Sequence, residues 1–439
     1  FHLGYPAISA RYNAIGNFSR ITEVATRIAN QLPSEGNSAA FKEFAWRFVN
    51  IIARALVALG RRPDYQQVRR YINDIEPLFV EYARSHLDRR GAEDWKTQVK
   101  ALADTITERN LPPALRGRNV EAIALMRHLQ AQDLYDPVLD GLVSAFKYDK
   151  TYFDKIVSSV GPLMEKLTTG NIADLISPDY LDETDTRPIF EWMDVIRRKG
   201  IVYVGLDALT DTTVASAVGN SMFADLVSVA GHIYKHGVAG EAIGTAPMIS
   251  LHADEFNELI GDEFVPLLNK AGGAGFQVTA YTQTWSDVEA RIGNRAKAGQ
   301  VAGNFNTLIM LRVKELATAE MLTDQLPRVE VFTLMSVSGV DFKSRNEDRI
   351  SVSEVPMITP AELIALPKGQ AFALLEGGQL WKLRMPLPAT DADMPDTLSE
   401  IANEMERTYI TNDHWYRVQD PWWAAADAVT AEPVEPSDG

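Results

Sequence analysis

The chain contains no cysteine and no long apolar run. Its 439 residues therefore hold no disulfide and no thiolate metal ligand. No window approaches about 18 uninterrupted apolar residues, and the N-terminus lacks the basic and apolar regions of a signal peptide. The sequence thus predicts neither a membrane span nor an export signal, and it fits the reducing cytoplasm.

Charge is distributed unevenly along a chain whose composition is otherwise globular. Hydrophobic residues make up 46% of the sequence, enough for two or three domains with full cores. The formal net charge is −16, and the segment Asp391–Asp438 supplies most of it, with twelve acidic residues against two arginines. The segment Phe41–Arg118 carries fifteen basic and ten acidic residues. Its Arg-Arg pairs are typical of solvated helix faces, and a nucleic-acid surface is the alternative.

Hydrophobic periodicity divides the chain into two regions with different patterns. From about residue 20 to 170, apolar positions at helical spacing predict an all-helical block. Its segments are Ser38–Gly60, Tyr65–Leu87, Glu93–Glu108, Asn119–Leu129, Asp136–Phe146 and Tyr152–Leu167.

After Gly170, short β-branched runs alternate with helical patterns. The predicted strands are Ile201–Leu206, Met248–Leu251, Gln277–Tyr281 and Thr307–Val313, and the intervening helices are Val214–His236, Glu258–Ala271 and Ser286–Val301. This alternation predicts an α/β fold with a mainly parallel sheet. A β-rich end follows, with strands Val329–Val337 and Asp348–Val352 and a hairpin of Ala371–Leu375 and Leu380–Leu383. The tail after Pro386 is acidic and partly disordered in composition, and its Trp415, Trp422 and Trp423 either fold back or dock a partner.

The most informative segment is TAPMISLHADEF, residues 245–256, an apolar run that ends in Asp254 and Glu255. A Walker B strand of an ATPase has this pattern, in which one carboxylate holds Mg²⁺ and the next polarises the attacking water. The same pattern also describes a strand that simply enters a solvated loop.

Support comes from the next predicted strand, which ends in Thr282-Gln283-Thr284. Carboxyl ends of parallel strands share one sheet edge, so Gln283 is expected near the two carboxylates. It either orients the attacking water or caps the following helix. On that helix Arg291 and Arg295 lie four residues apart, as arginine-finger candidates or as ordinary surface arginines.

Taken in order, these segments resemble the TraG/TraD coupling proteins, the type IV coupling ATPases of bacterial conjugation, and are most similar to those of integrative conjugative elements. The segments that carry the resemblance, which extends to about Pro388, are RYNAIGNFSRITEVATRIANQLP, FKEFAWRFVNIIARAL, GIVYVGLDAL, APMISLHADEFNEL, GFQVTAYTQTWSDVEARIG and VAGNFNTLIMLRV.

The resemblance implies a RecA-like P-loop NTPase core with an all-α domain inserted into it. The implied domains are 1–24 as the N-terminal edge of the nucleotide-binding domain, 25–169 as the all-α domain, 170–388 as the rest of the nucleotide-binding domain, and 389–439 as the tail. The implied roles are a metal ligand for Asp254, a catalytic base for Glu255, a polar sensor for Gln283, and the finger for Arg291 or Arg295.

The family's partners are implied in the same way. They are the relaxase or relaxosome, DNA and the inner-membrane components of a type IV secretion channel. The family forms a homo-hexamer at the cytoplasmic face of the inner membrane, attached through an N-terminal anchor.

One departure from the family is the absence of a Walker A string, GxxxxGK[ST], whose amides and lysine cradle phosphates. The chain also begins with Phe1, in a segment typical of a strand end. We therefore expect a fragment that lacks the anchor and Walker A, is monomeric and binds neither ATP nor Mg²⁺ tightly, although the parent uses both. The competing hypothesis is a non-catalytic docking module that recruits relaxosome or channel proteins.

Overall fold

The computed structural model describes residues 1–32, 38–132, 134, 136–148, 150–182, 184–238, 247–261, 264–337, 347–389, 391–395 and 397–408. The chain divides into two compact units. The first comprises residues 1–249 and 262–277 with the tail from Pro395, and the second comprises residues 250–261 and 278–394.

Helices make up most of the first unit. Those up to His236 are α1 (Thr22–Ala29), α2 (Ser38–Ala58), α3 (Tyr65–Asn73), α4 (Glu76–Arg90), α5 (Trp95–Thr105), α6 (Val120–Ala131), α7 (Pro137–Phe146), α8 (Lys150–Leu167), α9 (Asn171–Ile176), α10 (Trp192–Arg197) and α11 (Thr212–His236). The predicted all-helical block is confirmed as a succession of helices. Two of these helices begin at side-chain caps, since the Asn119 and Asp136 side chains accept backbone N–H groups of α6 and α7.

Two predicted elements of this unit differ from the structure. The single helix expected over Tyr65–Leu87 is two helices, because the backbone of Asp74 is extended and ends α3. The strand expected over Ile201–Leu206 makes one parallel bridge, between His2 and Gly205, rather than a regular strand. Within that segment, the backbone carbonyl of Tyr203 accepts a hydrogen bond from the Phe1 amino group at 2.9 Å.

The basic surface of the helical block is partly used by ion pairs within the fold. Arg61 pairs with Glu81 at 2.5 Å, and Arg62 pairs with Glu191 at 2.5 Å. The first Arg-Arg pair of the sequence is therefore neutralised by carboxylates of its own chain, which favours the solvated-face interpretation at this position.

Helix α11 is the central apolar helix of the first unit. Among the described helices it alone has the length and mean hydropathy, 1.2, of a membrane-crossing segment, but 78% of that 18-residue window is buried inside the fold. Its predicted counterpart, Val214–His236, is confirmed.

A buried polar network joins α11 to the N-terminal residues. Asp225, in the middle of α11, is fully buried and accepts a hydrogen bond from the Tyr12 hydroxyl at 2.5 Å. The Arg27 guanidinium lies 3.5 Å from the other carboxylate oxygen, and the Trp192 indole N–H donates to Tyr12 at 3.0 Å. Burial raises the pKa of Asp225 to about 6, against the opposing effect of Arg27. Four separate segments thus depend on one buried carboxyl group.

The remaining elements begin at Ile249. In chain order they are β1 (Ile249–Ala253), α12 (Phe256–Leu259), α13 (Phe264–Lys270), β2 (Phe276–Ala280), α14 (Trp285–Ile292), α15 (Arg295–Gly303), β3 (Leu308–Leu311), α16 (Leu316–Thr323), β4 (Arg328–Val337), β5 (Glu347–Pro356), α17 (Pro360–Ile364), β6 (Gln370–Leu375), β7 (Gln379–Arg384) and α18 (Leu398–Thr408). Trp415, Trp422 and Trp423 lie outside the described residues.

The second unit contains antiparallel sheets. Strands β3, β6 and β7 form one sheet in that order, and β4 pairs with β5 in another. The β6–β7 hairpin confirms the prediction for Ala371–Leu383. One face of the three-stranded sheet packs Met310 and Phe372 against Leu322 of α16 and Leu363 of α17, which forms the apolar core of this unit.

The buried carboxyl group leads to a testable pH dependence. The raised pKa means that folded Asp225 retains its proton at pH values where the unfolded chain has lost it. Its contribution to stability is therefore fully present below about pH 4 and is lost as the pH rises to about 6. The difference in unfolding free energy between wild type and D225N should fall by about 3 kcal/mol over this range. Urea unfolding at a series of pH values measures it.

The control is D140N, which removes an exposed carboxyl group from α7. It should leave the pH dependence of wild type unchanged. Parallel stability curves for wild type and D225N would contradict the assignment.

Candidate functional site

Strands β1 and β2 lie side by side and run in the same direction. The Ile249 N–H donates to the Gly275 carbonyl at 2.9 Å, and farther along both segments the Tyr281 N–H donates to the Ala253 carbonyl at 2.9 Å. The residue numbers of the hydrogen-bonded partners increase in the same direction along both strands, so the two strands are parallel. The two predicted strands Met248–Leu251 and Gln277–Tyr281 are confirmed within one or two residues, and their carboxyl ends meet.

Tyr281 fixes the turn that follows β1. Besides donating to Ala253, its backbone accepts a hydrogen bond from the Phe256 N–H at 3.0 Å. Asp254 and Glu255 therefore lie between two backbone bonds to the same residue. Phe256 is buried and packs edge-on against Phe305, with ring centroids 6.4 Å apart. The two carboxylate residues are thus held from both sides.

Glu255 has a left-handed backbone conformation, with φ 47° and ψ 45°. Non-glycine residues occupy this region rarely, and such strain is concentrated at functional sites. The Asp254 carboxylate accepts a hydrogen bond from the Glu255 N–H at 3.0 Å. Because the chain turns at this point, both carboxylates are exposed, which an ideal strand would prevent by placing them on opposite faces.

Gln283 contacts the second carboxylate directly. Its side-chain amide donates to Glu255 Oε1 at 2.8 Å. The structure therefore brings together Glu255 and Gln283, which are 28 residues apart, with Asp254 next to them. The catalytic roles given to these residues remain predictions.

Several residues that the sequence did not single out hold this arrangement. The Thr282 hydroxyl lies 3.3 Å from Asn257 Oδ1, and His252 Nδ1 lies 3.2 Å from the Tyr281 hydroxyl. The Thr284 hydroxyl caps α14 by accepting the Asp287 N–H at 3.2 Å. The cap is recognisable from its Thr-x-x-Asp spacing, whereas no local signal identifies Asn257 or His252, since their partners lie in the other loop.

Glu315 anchors the start of α14. Its carboxylate accepts hydrogen bonds from Ser286 and Thr318, both at 2.5 Å. These two hydroxyl donors hold the pKa of Glu315 below its usual value. The contacts connect the helix that follows Gln283 to the core of its unit through α16.

The arginine prediction needs a correction. A single helix over Ser286–Val301 was expected to carry Arg291 and Arg295 on one face, but α14 ends at Gly293. That glycine has φ 67°, and Asn294 caps the separate helix α15. Arg291 donates to the Glu258 carbonyl at 3.5 Å, whereas Arg295 is 91% exposed and lies 3.7 Å from Glu289. The helix expected over Glu258–Ala271 is likewise two helices, because Ile260 is extended and ends α12.

The chemistry of the site suits one hard cation with outside ligands. Among the described residues no three His, Cys, Asp or Glu side chains are grouped to hold a metal on their own. Mg²⁺ typically takes one or two protein carboxylates and completes its shell with water and phosphate oxygens. The exposed carboxylate of Asp254 fits that requirement.

The strained residue gives a stability test. At position 255 glycine tolerates the left-handed backbone better than alanine, so E255G should be more stable than E255A by about 1 kcal/mol. At position 258, within α12, the order should reverse, with E258G less stable than E258A by about 1 kcal/mol. Urea unfolding of the four variants checks both signs. The same order at both positions would contradict the left-handed turn.

Comparison with known proteins adds to this geometry. Residues 249–368 match a family described as "TraM recognition site of TraD and TraG". No match was found among curated proteins.

Solved structures of a bacterial conjugative coupling protein, TrwB, have a similar fold. The unbound monoclinic form of TrwBdeltaN70 is 14% identical with a TM-score of 0.52, and the alignment covers 88% of this chain and 73% of that chain. TrwB in complex with ADP and Mg²⁺ gives a TM-score of 0.50 at 14% identity and the same coverage. Residues 249–368 are therefore similar to the TraD and TraG family, and the fold of the chain is similar to that of TrwB, α/β and RecA-like with an all-α domain.

Proposed function

We propose that this chain is the Walker B part of an ATPase that couples relaxosome-bound DNA to a type IV secretion channel. The observation that carries the proposal is the hydrogen bond between Gln283 and Glu255 at the carboxyl ends of two parallel strands. Neighbouring strand ends in such sheets are where nucleotides bind. A strand that merely enters a solvated loop has no need to bring an amide onto a strained glutamate.

Each residue has a role in this scheme. Asp254 would hold Mg²⁺, which would supply neutralisation of phosphate charge. Glu255 has one carboxylate oxygen bonded to Gln283, and its other oxygen accepts the proton of the attacking water. Gln283 keeps the carboxylate in place and orients the same water through its carbonyl oxygen. The TrwB complex with ADP and Mg²⁺ supports nucleotide binding by this fold.

None of the residues in this scheme belongs to a phosphate-binding loop. The sequence contains no GxxxxGK[ST] string, and we propose that the present residues supply the metal and base side of the site.

Partners follow from the family description. We propose that residues 249–368 contact a TraM-like relaxosome protein and that assembly into a hexamer at the cytoplasmic face of the inner membrane brings the chain to the channel and the DNA.

The base assignment is tested by E255Q in the complete gene product. Glutamine keeps the size and a hydrogen-bond acceptor but cannot take a proton, so ATP hydrolysis and conjugative transfer should fall by about 10² to 10⁴-fold. The matched control E258Q, three residues away in α12, should transfer normally. Unchanged transfer by E255Q would favour the docking-module hypothesis instead.

Exposure separates the two finger candidates. Arg295 is 91% exposed and is therefore free to reach a neighbouring subunit, whereas Arg291 bonds back to a carbonyl of its own unit. In the complete gene product, R295A should lower the rate of phosphate release from ATP by about 10³-fold with nucleotide binding retained. R291A should have a much smaller effect on the same rate. Wild-type hydrolysis by R295A would exclude it as the finger.

A further inference from the structure

The ribbon formed by β4 and β5 presents an apolar face that is left exposed by the described residues. Its register places Phe332 opposite Val352 and Leu334 opposite Ile350, so these four side chains lie on one face. Their exposed fractions are 67%, 54%, 73% and 66%, in the order named. Contiguous exposed apolar surface of this kind marks interaction sites.

The two faces of the ribbon differ in how far their apolar side chains are exposed. The opposite face carries Thr333, Ser351 and Ser353 together with Val329, Val331 and Val355, and Val331 and Val355 are only 39% and 36% exposed. An isolated two-stranded ribbon is marginally stable in water, and covering its more exposed apolar face would stabilise it. A partner would therefore cover the face of Phe332 and Leu334, where the larger and more exposed apolar side chains lie.

Negative charge on the same face restricts the kind of partner that can bind there. Glu330 lies directly opposite Glu354, and this pair is next to the Phe332–Val352 pair on the side of the ribbon where β4 begins and β5 ends. Like charges at directly opposed positions destabilise a ribbon. Arg328, the next residue on this face toward the start of β4, offsets one of these two charges.

We propose that the apolar ribbon face, made of Phe332, Leu334, Ile350 and Val352, docks a protein segment in which apolar side chains lie next to a lysine or arginine. The cation would relieve the repulsion between Glu330 and Glu354 while the apolar side chains bury the quartet. Nucleic acid and anionic lipid do not fit, because their phosphates would meet the two carboxylates. A second copy of the ribbon would bring more carboxylates than cations, since Arg328 is outnumbered by Glu330 and Glu354 on this face. This proposal rests on the proposed coupling function, which requires a protein partner, and the ribbon lies within the matched residues 249–368.

Photo-crosslinking in conjugating cells tests the surface. The protein carries p-benzoylphenylalanine in place of Phe332, and the control carries it in place of Thr333 on the opposite face. We expect about tenfold more crosslinked product at position 332, with a peptide that contains apolar residues beside a lysine or arginine. Equal yields at both positions, or a crosslink only to another copy or to nucleic acid, would overturn the proposal.

Charge exchange makes the test specific. Adding E330K and E354K should lower the crosslink yield at position 332 by about tenfold, and replacing the partner's crosslinked lysine or arginine with glutamate should restore it. E330Q and E354Q should also lower the crosslink yield, because they remove the negative charges that a partner's cation would contact. Since these substitutions also remove the repulsion within the ribbon, unfolding of the ribbon would not explain their lower yield. An unchanged yield with these variants would overturn the electrostatic part and with it the proposed partner class.

The crosslink yield at position 332 should not depend on ATP hydrolysis. E255Q should block transfer but leave the crosslink at position 332 intact. A normal crosslink together with normal transfer by E255Q would reject the ATPase proposal alone, whereas a missing crosslink with blocked transfer would reject the docking proposal alone.

Discussion

The site depends on two backbone hydrogen bonds made by Tyr281. One reaches back to Ala253 at the end of β1, and the other receives the N–H of Phe256 at the start of α12. Two residues must turn within the space between these bonds, and this constraint accounts for the left-handed conformation of Glu255. The same constraint brings both carboxylates to the surface beside the end of β2. Without it, Asp254 and Glu255 would alternate across the sheet like any other strand residues.

The rest of the second unit supports this turn from behind. Phe256 is buried against Phe305, and Glu315 fixes the first turn of α14, the helix that follows Gln283. The strain at Glu255 therefore persists because neighbouring packing holds the chain on both sides of it. The result is an exposed, polar strand end supported by buried packing. The exposed ribbon of β4 and β5 extends from the same unit, so the proposed chemistry and the proposed docking surface share one scaffold.

Much of the fold was predictable because local signals sufficed. The apolar positions of the helices in the first unit repeat at helical spacing, and some of these helices begin at a capping side chain, such as Asn119 and Asp136. Strands β1 and β2 were predictable from short β-branched runs. One error concerns the strand expected over Ile201–Leu206, which makes a single parallel bridge. The others concern helix length, at Asp74, Ile260 and Gly293. At each of these positions one backbone conformation ends a helix whose apolar pattern continues beyond it, since periodicity does not report the φ and ψ angles of a single residue.

The sequence by itself determined the order of elements, the apolar run that ends in Asp254 and Glu255, and the polar cap at Gln283. Only the tertiary structure decided that Gln283 donates to Glu255, that Arg291 and Arg295 lie on separate helices, and that Asp225 is fully buried beside Arg27 and Tyr12. The division has a physical reason. Periodicity and capping are interactions between residues a few positions apart, whereas the bond between Gln283 and Glu255 joins residues 28 apart and the buried network joins residues up to 213 apart. Such contacts exist only after strand register and helix packing have been set.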